Sequence, residues 1–228
     1  MKVLVACEES QAVCKEFRRL GHEAYSCDLL PCSGGHPEWH IQDDVLHFID
    51  GSGTPNLPMF VLSESMDVIE IPEKWDLIIA FPPCTYLSNA GACRLYPKKG
   101  QLNMDRYKKG LEGKEFFLKI LNADCPRIAV ENPVSSKVFE MPPHTQEIHP
   151  YQFDPDKKHP WTKKTRLWIR GDLKPLLATT PEAVPVGPYC PAGTSRKDRS
   201  KYGAAKRGED AKNRAKTFPG IAKAMAEQ

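Results

Sequence analysis

"WDLIIAFPPC", residues 75–84, is the stretch on which the fold turns. Leu77 to Phe81 run without polar alternation, so a strand built from them needs cover on both faces, as in a parallel sheet flanked by helices. The two prolines stop the ladder because they bring no N–H to it. They hand the chain to Cys84. A cysteine after a strand is more often an inert core residue than a nucleophile, and only its surroundings in the fold can reverse that.

Reading outward, "MKVLVA" (1–6) is a second apolar run with β-branched content. "SQAVCKEFRRLG" (10–21) follows, with Ala12, Val13, Phe17 and Leu20 near helical spacing and Gly21 suited to the stop. "HEAYSCDLL" (22–30) reads as a strand ending at Asp28, and "PCSGGHPEWHI" (31–41) as a loop. On the other side, "KKGLEGKEFFLKILNA" (108–123) is helix-like and "RIAVENP" (127–133) is another buried strand stopped by proline. Strands alternating with helices predict a single α/β domain over residues 1–228, with a doubly wound, mostly parallel sheet. Ligands of such sheets sit at the C-terminal strand ends, where Asp28, Cys84 and Glu131 all fall. Residues 50–72 are expected to be an insertion with its own small hairpin. The Pro-, Gly- and charge-rich stretch 172–216 is expected to be a long loop.

Of 228 residues, 40% are hydrophobic, enough for one sizeable core. No run approaches the roughly 18 apolar residues of a membrane span, and the first run is too short for a signal peptide, so a cytoplasmic chain is expected. Its eight cysteines then read as free thiols. The net charge of +3 is unevenly spread. Between Cys190 and Lys216 there are nine Lys/Arg, among them Arg196 and Lys197, against three acids. Arg94, Lys98, Lys99, Arg106, Lys108, Lys109 and Lys114 form a second cluster after the cysteine motif. Local bias of this kind suits a polyanion such as nucleic acid, although a solvated surface explains it equally.

"FPPC" after one strand, "ENP" after a later one and "TRLWI" beyond it recur in the order of motifs of the cytosine carbon-5 DNA methyltransferases. The chain resembles that family over most of its length, as a short, phage-type member of the kind found in restriction–modification systems. The resemblance implies a Rossmann-like methyltransferase domain, S-adenosylmethionine as cofactor and DNA as partner. Cys84 matches the nucleophile and Glu131 the carboxyl that protonates the ring. Arg166 matches the arginine that holds the ring's carbonyl oxygen. Pro83, Ser88, Asn132, Lys164, Arg196 and Lys197 fall to the substrate side. Glu8, Glu9, Ser10, Asp28, Asp44 and Pro82 fall to the cofactor side, Asp28 toward the ribose hydroxyls and Asp44 toward the adenine amino group. "TFPGIAKAMAEQ" (217–228) resembles the closing helix that returns beside the cofactor site. The chain departs from the family in two places. Its first loop, "ACEESQ" (6–11), has no glycine where a glycine-rich turn is expected, and Thr162 and Lys164 replace two residues of a Gln-x-Arg-x-Arg strand. Only the 45 residues 172–216 fill the place of a target-recognition domain, so a short or relaxed sequence preference is expected.

The implied chemistry accounts for the residue types. Carbon 5 of cytosine is a poor nucleophile, and a thiolate added at carbon 6 makes it electron-rich. Cysteine serves because it is intrinsically nucleophilic and nearby cations lower its pKa. A carboxyl that can hold a proton stabilises the adduct. Three other readings compete. "PPC" with Tyr86 is also similar to the loop of enzymes that methylate exocyclic amines, and the small size admits a free cytosine nucleotide as substrate. The glycine-free loop admits an inactive DNA-binding or anti-restriction protein. Cys27, Cys32, His36 and His40 have zinc-like types and spacings, yet their loop offers other uses for them, and no metal is expected.

Overall fold

A computed structural model describes residues 1–52, 59–190, 194, 198, 201–202 and 216–228. Its centre is a seven-stranded sheet built from β1 (Lys2–Ala6), β2 (Glu23–Cys27), β3 (His40–Ile41), β6 (Leu77–Ala80), β7 (Ile128–Pro133), β8 (Gln146–Ile148) and β10 (Thr165–Arg170). The spatial order is β3-β2-β1-β6-β7-β10-β8. Neighbours from β3 to β7 pair in parallel, and β10 runs antiparallel to both β7 and β8. The architecture is α/β with a mostly parallel sheet, compatible with a Rossmann-like fold. The chain leaves β1 toward β2 on one side and returns to pair β6 on the other, so the topological switch point lies between β1 and β6.

The unbroken apolar runs are explained by burial on both faces. Leu4, Ala6, Ile78, Ala80, Ile128 and Val130 pack on one side against Phe117 and Ile120 of α3 (Met104–Leu121). Val3, Val5, Leu77 and Ile79 pack on the other with Val13 and Phe17 of α1 (Ala12–Arg19) and Ile221 and Ala222 of α4 (Pro219–Glu227). At roughly 1.5–3 kcal/mol per fully buried aliphatic side chain, these two layers are the main source of stability. Gly21, at φ +81°, ends α1 in the left-handed conformation that glycine takes at no steric cost. Gly110 has a different role: a Cβ there would meet the Phe139 ring at 2.2 Å, so glycine lets that ring lie flat on α3.

Met59–Leu62 (β4) and Val68–Ile71 (β5) pair as an antiparallel hairpin outside the main sheet, within the stretch read as an insertion. β9 (Trp161–Thr162) pairs with β11 (Gly187–Pro188). Ala92–Leu95 forms the short α2. The "PCSGGHPEWHI" loop was not expected to add a strand, yet it ends in the two-residue β3; a ladder this short has no legible period. Residues 172–186 contain neither helix nor strand, whereas Arg196, Lys197 and most of the basic segment lie outside the described residues. Among the described residues the eight cysteines form no disulfide with one another. Among the described residues no helix is long and apolar enough to cross a membrane.

Candidate active site

Two features share the C-terminal edge of the sheet: a cavity beside the switch point and a half-buried acid–thiol pair. The cavity holds about 560 Å³, within the range of ligand pockets. It is lined by Cys7 after β1, Cys27 and Asp28 at the end of β2, Asp43 and Asp44 after β3, Pro83 and Tyr86 after β6, and one face of α3. Glu112 adds a fourth carboxylate and Lys109 a cation. Asp28 accepts the Leu30 N–H at 2.8 Å and Asp44 the Leu46 N–H at 3.0 Å. Each carboxylate is thus aimed by its own turn while it lines the cavity. Burial pushes the Cys7 thiol well up, and Asp28, Cys27 and Asp44 push it further, so it meets the cavity as a neutral group.

The glycine-free loop is accommodated by the backbone. Cys7 (φ +58°) and Gln11 (φ +53°) adopt the left-handed conformation themselves. Such positions cost non-glycine residues of order 1 kcal/mol or more and persist only when surrounding contacts dictate them. Gln11 shows those contacts: fully buried, it donates to His36 O at 2.8 Å and accepts from His36 N at 3.1 Å and Cys32 Sγ at 3.1 Å.

Glu8 and Glu9, which the resemblance puts on the cofactor side, do not line the cavity, and their side chains are engaged elsewhere. Glu8 turns inward and accepts the Val13 N–H at 2.8 Å and the Cys14 N–H at 3.2 Å, capping α1 from inside. Burial raises its pKa to about 7 even though those two N–H groups pull it down. Glu9 receives the Ser33 hydroxyl, and its carbonyl accepts the Ser33 N–H at 2.8 Å. The Ser10 carbonyl packs against Gly34, where a Cβ would approach it to 2.6 Å. The zinc-like set is likewise dispersed. His40 bonds Ser26 and Leu30 O through its two nitrogens, His36 bonds Glu38, Cys27 bonds Asp43 O and Cys32 bonds Gln11. No metal-binding group of three such residues occurs among the described residues.

The nucleophile loop is pinned at several points. Ser88 N donates to Cys84 O at 2.8 Å, and Ser88 Oγ caps a single turn at Asn89–Gly91 by accepting the Ala90 N–H at 3.1 Å. Arg106 of α3 donates to Thr85 O and stacks its guanidinium 4.9 Å from the Tyr86 ring centre. The fully buried Asn132 donates to Pro82 O at 3.0 Å. Pro82 is therefore interior and Pro83 meets the cavity, the reverse of the expected division between cofactor and substrate. Asn132 and Ser88, expected on the substrate, act here as supports of the loop.

Cys84 is half-buried, and its thiol is pushed up first by burial and then by Glu131. Burial also raises Glu131. One cation lowers both, and it is Lys163. Arg166 was expected in that place and is elsewhere. The register sets Arg166 opposite Asn132 and Glu147, while Glu131 is opposite Leu167. Side chains of a strand alternate between faces, so Arg166 and Glu131 leave the sheet on opposite sides. Arg166 lies 3.5 Å from Glu147, and Lys164 pairs with the same carboxylate at 2.9 Å. Lys163 and the cavity wall formed by Cys7, Asp43, Val45 and Phe116 were not foreseen as site residues. Alternation from Glu131 would have pointed to Lys163 had the register been known.

No protein-family model matches the chain, and no curated protein matches it in sequence.

Proposed function

We propose that the protein is an S-adenosylmethionine-dependent methyltransferase acting on carbon 5 of cytosine in DNA through a covalent adduct of Cys84. The observation that carries this reading is the juxtaposition of a pinned, half-buried thiol with a carboxyl whose pKa is raised by burial, the thiol following directly on Pro83 of a nucleoside-sized cavity. An exocyclic-amine methyltransferase uses neither group in this way.

The cavity suits the cofactor in charge. Four carboxylates around one lysine favour a ligand that carries sulfonium and ammonium cations. Asp28 and Asp44 are acceptors for its hydroxyl and amino groups. When bound, S-adenosylmethionine supplies an electrophilic methyl group.

The chain's own residues do the rest. The Cys84 thiol gives up its proton to solvent, and the thiolate forms the bond from sulfur to carbon 6 of cytosine. The electron pair of the ring double bond is taken up as nitrogen 3 gains the Glu131 proton, which leaves carbon 5 electron-rich. Asn132 and Arg106 hold the loop so that the sulfur does not have to search for the ring. At release the carbon-5 proton leaves to solvent, its electron pair restores the ring double bond, and the sulfur–carbon bond breaks toward Cys84. Nitrogen 3 returns its proton to Glu131.

DNA as the substrate class is supported by the exposed cations Arg94, Lys98, Lys99, Lys108 and Lys109, which follow the nucleophile loop on its α2–α3 side. Phosphate contacts of this kind give affinity without sequence information, in keeping with the short segment available for reading bases. The test is incubation with S-adenosylmethionine and DNA containing 5-fluorocytosine, which cannot lose the carbon-5 substituent. A covalent complex that withstands denaturant is expected for the native chain and absent for Cys84→Ala. No complex with duplex or single-stranded DNA, together with no 5-methylcytosine in ordinary DNA, refutes the proposal.

A further inference from the structure

α3 turns one stripe toward the cavity: Lys109, Glu112, Gly113 and Phe116, spaced i, i+3, i+4 and i+7, all line it. A helix stripe turned toward the protein is ordinarily apolar, and Phe116 obeys that rule by packing on the core. Lys109 and Glu112 break it. They do not serve the helix either, because a pair of this kind is best placed with the acid N-terminal to the base, and here the order is reversed. The Lys109 ammonium rests 5.5 Å from the centre of the Tyr86 ring, which lines the same cavity, and among the described residues neither side chain forms an ion pair or a hydrogen bond. The other three carboxylates of the cavity are engaged by their own turns. Asp28 and Asp44 accept the Leu30 and Leu46 N–H groups, and Asp43 bonds the Asp44 N–H at 2.6 Å and the His47 ring at 3.2 Å. Of the loop after β1, only Cys7 lines the cavity. Lys109 and Glu112 are thus a base and an acid with their bonding capacity directed at the cavity, about 4.5 Å apart along the helix axis.

We propose that Lys109 and Glu112 form a subsite for an α-amino acid group, the lysine for its carboxylate and the glutamate for its ammonium. The proposal rests on the reading of the cavity as the S-adenosylmethionine site, and it gives the bound molecule a direction: nucleoside toward Asp28 and Asp44, amino acid on α3. The match is one of sign and number. An α-amino acid group carries one cation and one anion on adjoining atoms, and a base and an acid on neighbouring turns meet both at once. A pair already bonded to itself would first have to be broken. The Tyr86 ring steadies the ammonium by attraction to its face and uses up none of its N–H donors. Of the exposed cations that follow the nucleophile loop, Lys109 alone lines the cavity, so DNA contact does not account for its place. The first loop cannot supply the acid, since Glu8 and Glu9 are engaged elsewhere.

The measurement is isothermal titration calorimetry of the full chain, without DNA, against S-adenosylmethionine, its decarboxylated form and 5′-methylthioadenosine, which lacks the amino acid altogether. Lys109→Gln should weaken S-adenosylmethionine by roughly tenfold, the worth of one charge-assisted contact, and leave the other two no weaker than before. The sign is decisive. S-adenosylmethionine is a net cation, so a lysine acting only through its general field repels it, and removing that lysine tightens binding. Glu112→Gln should weaken both compounds that carry the ammonium and spare 5′-methylthioadenosine. Lys119→Gln, the same loss of charge near the far end of α3, should bind all three as the native chain does. Binding of S-adenosylmethionine by Lys109→Gln at native strength or better overturns the proposal, as does a Glu112→Gln chain that keeps its affinity for both ammonium compounds. A variant that loses 5′-methylthioadenosine as well overturns it too, because the side chain then supports the fold of the cavity. A native chain that binds none of the three sinks the cofactor reading and the subsite with it, whereas failure of the two variants alone leaves the cofactor reading standing.

Discussion

Two loops leave the same edge of the sheet, and they treat polar groups in opposite ways. The loop after β1, Cys7 to Gln11, buries a carboxylate and an amide and satisfies both: Glu8 receives two backbone N–H groups and Gln11 makes bonds on both its oxygen and its nitrogen. The loop after β6, Pro82 to Gly91, is held at its backbone by Asn132, Arg106 and Ser88, while Cys84 and the neighbouring Glu131 stay desolvated. Buried polar groups with full sets of partners rigidify a fold. A thiol and a carboxyl kept half-dry, with one shared cation, are instead poised to exchange protons and electrons with a ligand. On the proposed function, the first loop is shape and the second is chemistry.

The contrast breaks most sharply at Glu131. On the proposed function, Glu131→Gln keeps the volume and removes the proton that nitrogen 3 would take, so the rate of methyl transfer should fall by about 10²- to 10⁴-fold, the usual worth of a positioned acid. The melting temperature should stay level or rise, because a desolvated carboxyl is gone. Single-turnover kinetics and thermal unfolding on the same samples decide it. A large fall in stability with the rate intact would put Glu131 in the structural class with Glu8.

Glu8 gives the next largest effect, on stability against pH. Its folded pKa is raised by burial to about 7 from an ordinary value of 4.5. Between these values the folded chain binds more protons than the unfolded one, so stability falls as pH rises through that window. The contribution is fully present below about pH 4.5 and lost above pH 7, on the order of 3 kcal/mol at most from the size of the shift. Glu8→Gln should flatten the denaturation midpoint over that window and still cap α1 in part through its amide oxygen. If native and variant chains show the same slope between pH 5 and pH 7, the carboxyl is not titrating there.

Much of this was legible in the sequence, and the unread part has a common cause. The strands of "MKVLVA", "WDLIIAF" and "RIAVENP" announce themselves because both faces are covered, which keeps their central runs apolar without interruption. Strand ends are where a parallel sheet binds ligands, which is how Asp28, Cys84 and Glu131 could be placed at one edge, whereas Asp44 came from the family resemblance alone. What the string hides is register. Whether Arg166 or Lys163 shares a face with Glu131 depends on how β10 slides along β7, about 35 residues away in sequence, and one residue of slip exchanges them. The same holds for the two prolines: Pro82 and Pro83 trade places because Asn132, on another strand, takes the carbonyl of the first. Glu8 is a third case. Its role as an internal cap needs the positive φ of Gln11, and nothing local in "ACEESQ" demands that conformation.

The smallest effect tests whether the second loop has any purely structural members. Ser88 matches a family serine on the substrate side, yet its hydroxyl accepts the Ala90 N–H and its backbone N–H holds Cys84 O. Ser88→Ala removes only the first of these bonds and leaves the second, since that one belongs to the main chain. The expected cost is that of a lost cap, about 1 kcal/mol, seen as a modest drop in melting temperature. The yield of covalent complex with 5-fluorocytosine DNA should be unchanged once the chain is folded, because the sulfur is still held by the main chain. A KM for DNA raised more than about tenfold at unchanged stability corresponds to at least 1.4 kcal/mol of lost binding and would mean that the hydroxyl meets the substrate. The division would then move: the capping serine would belong with Cys84 and Glu131, and Asn132 and Arg106 would be the side chains that support the loop.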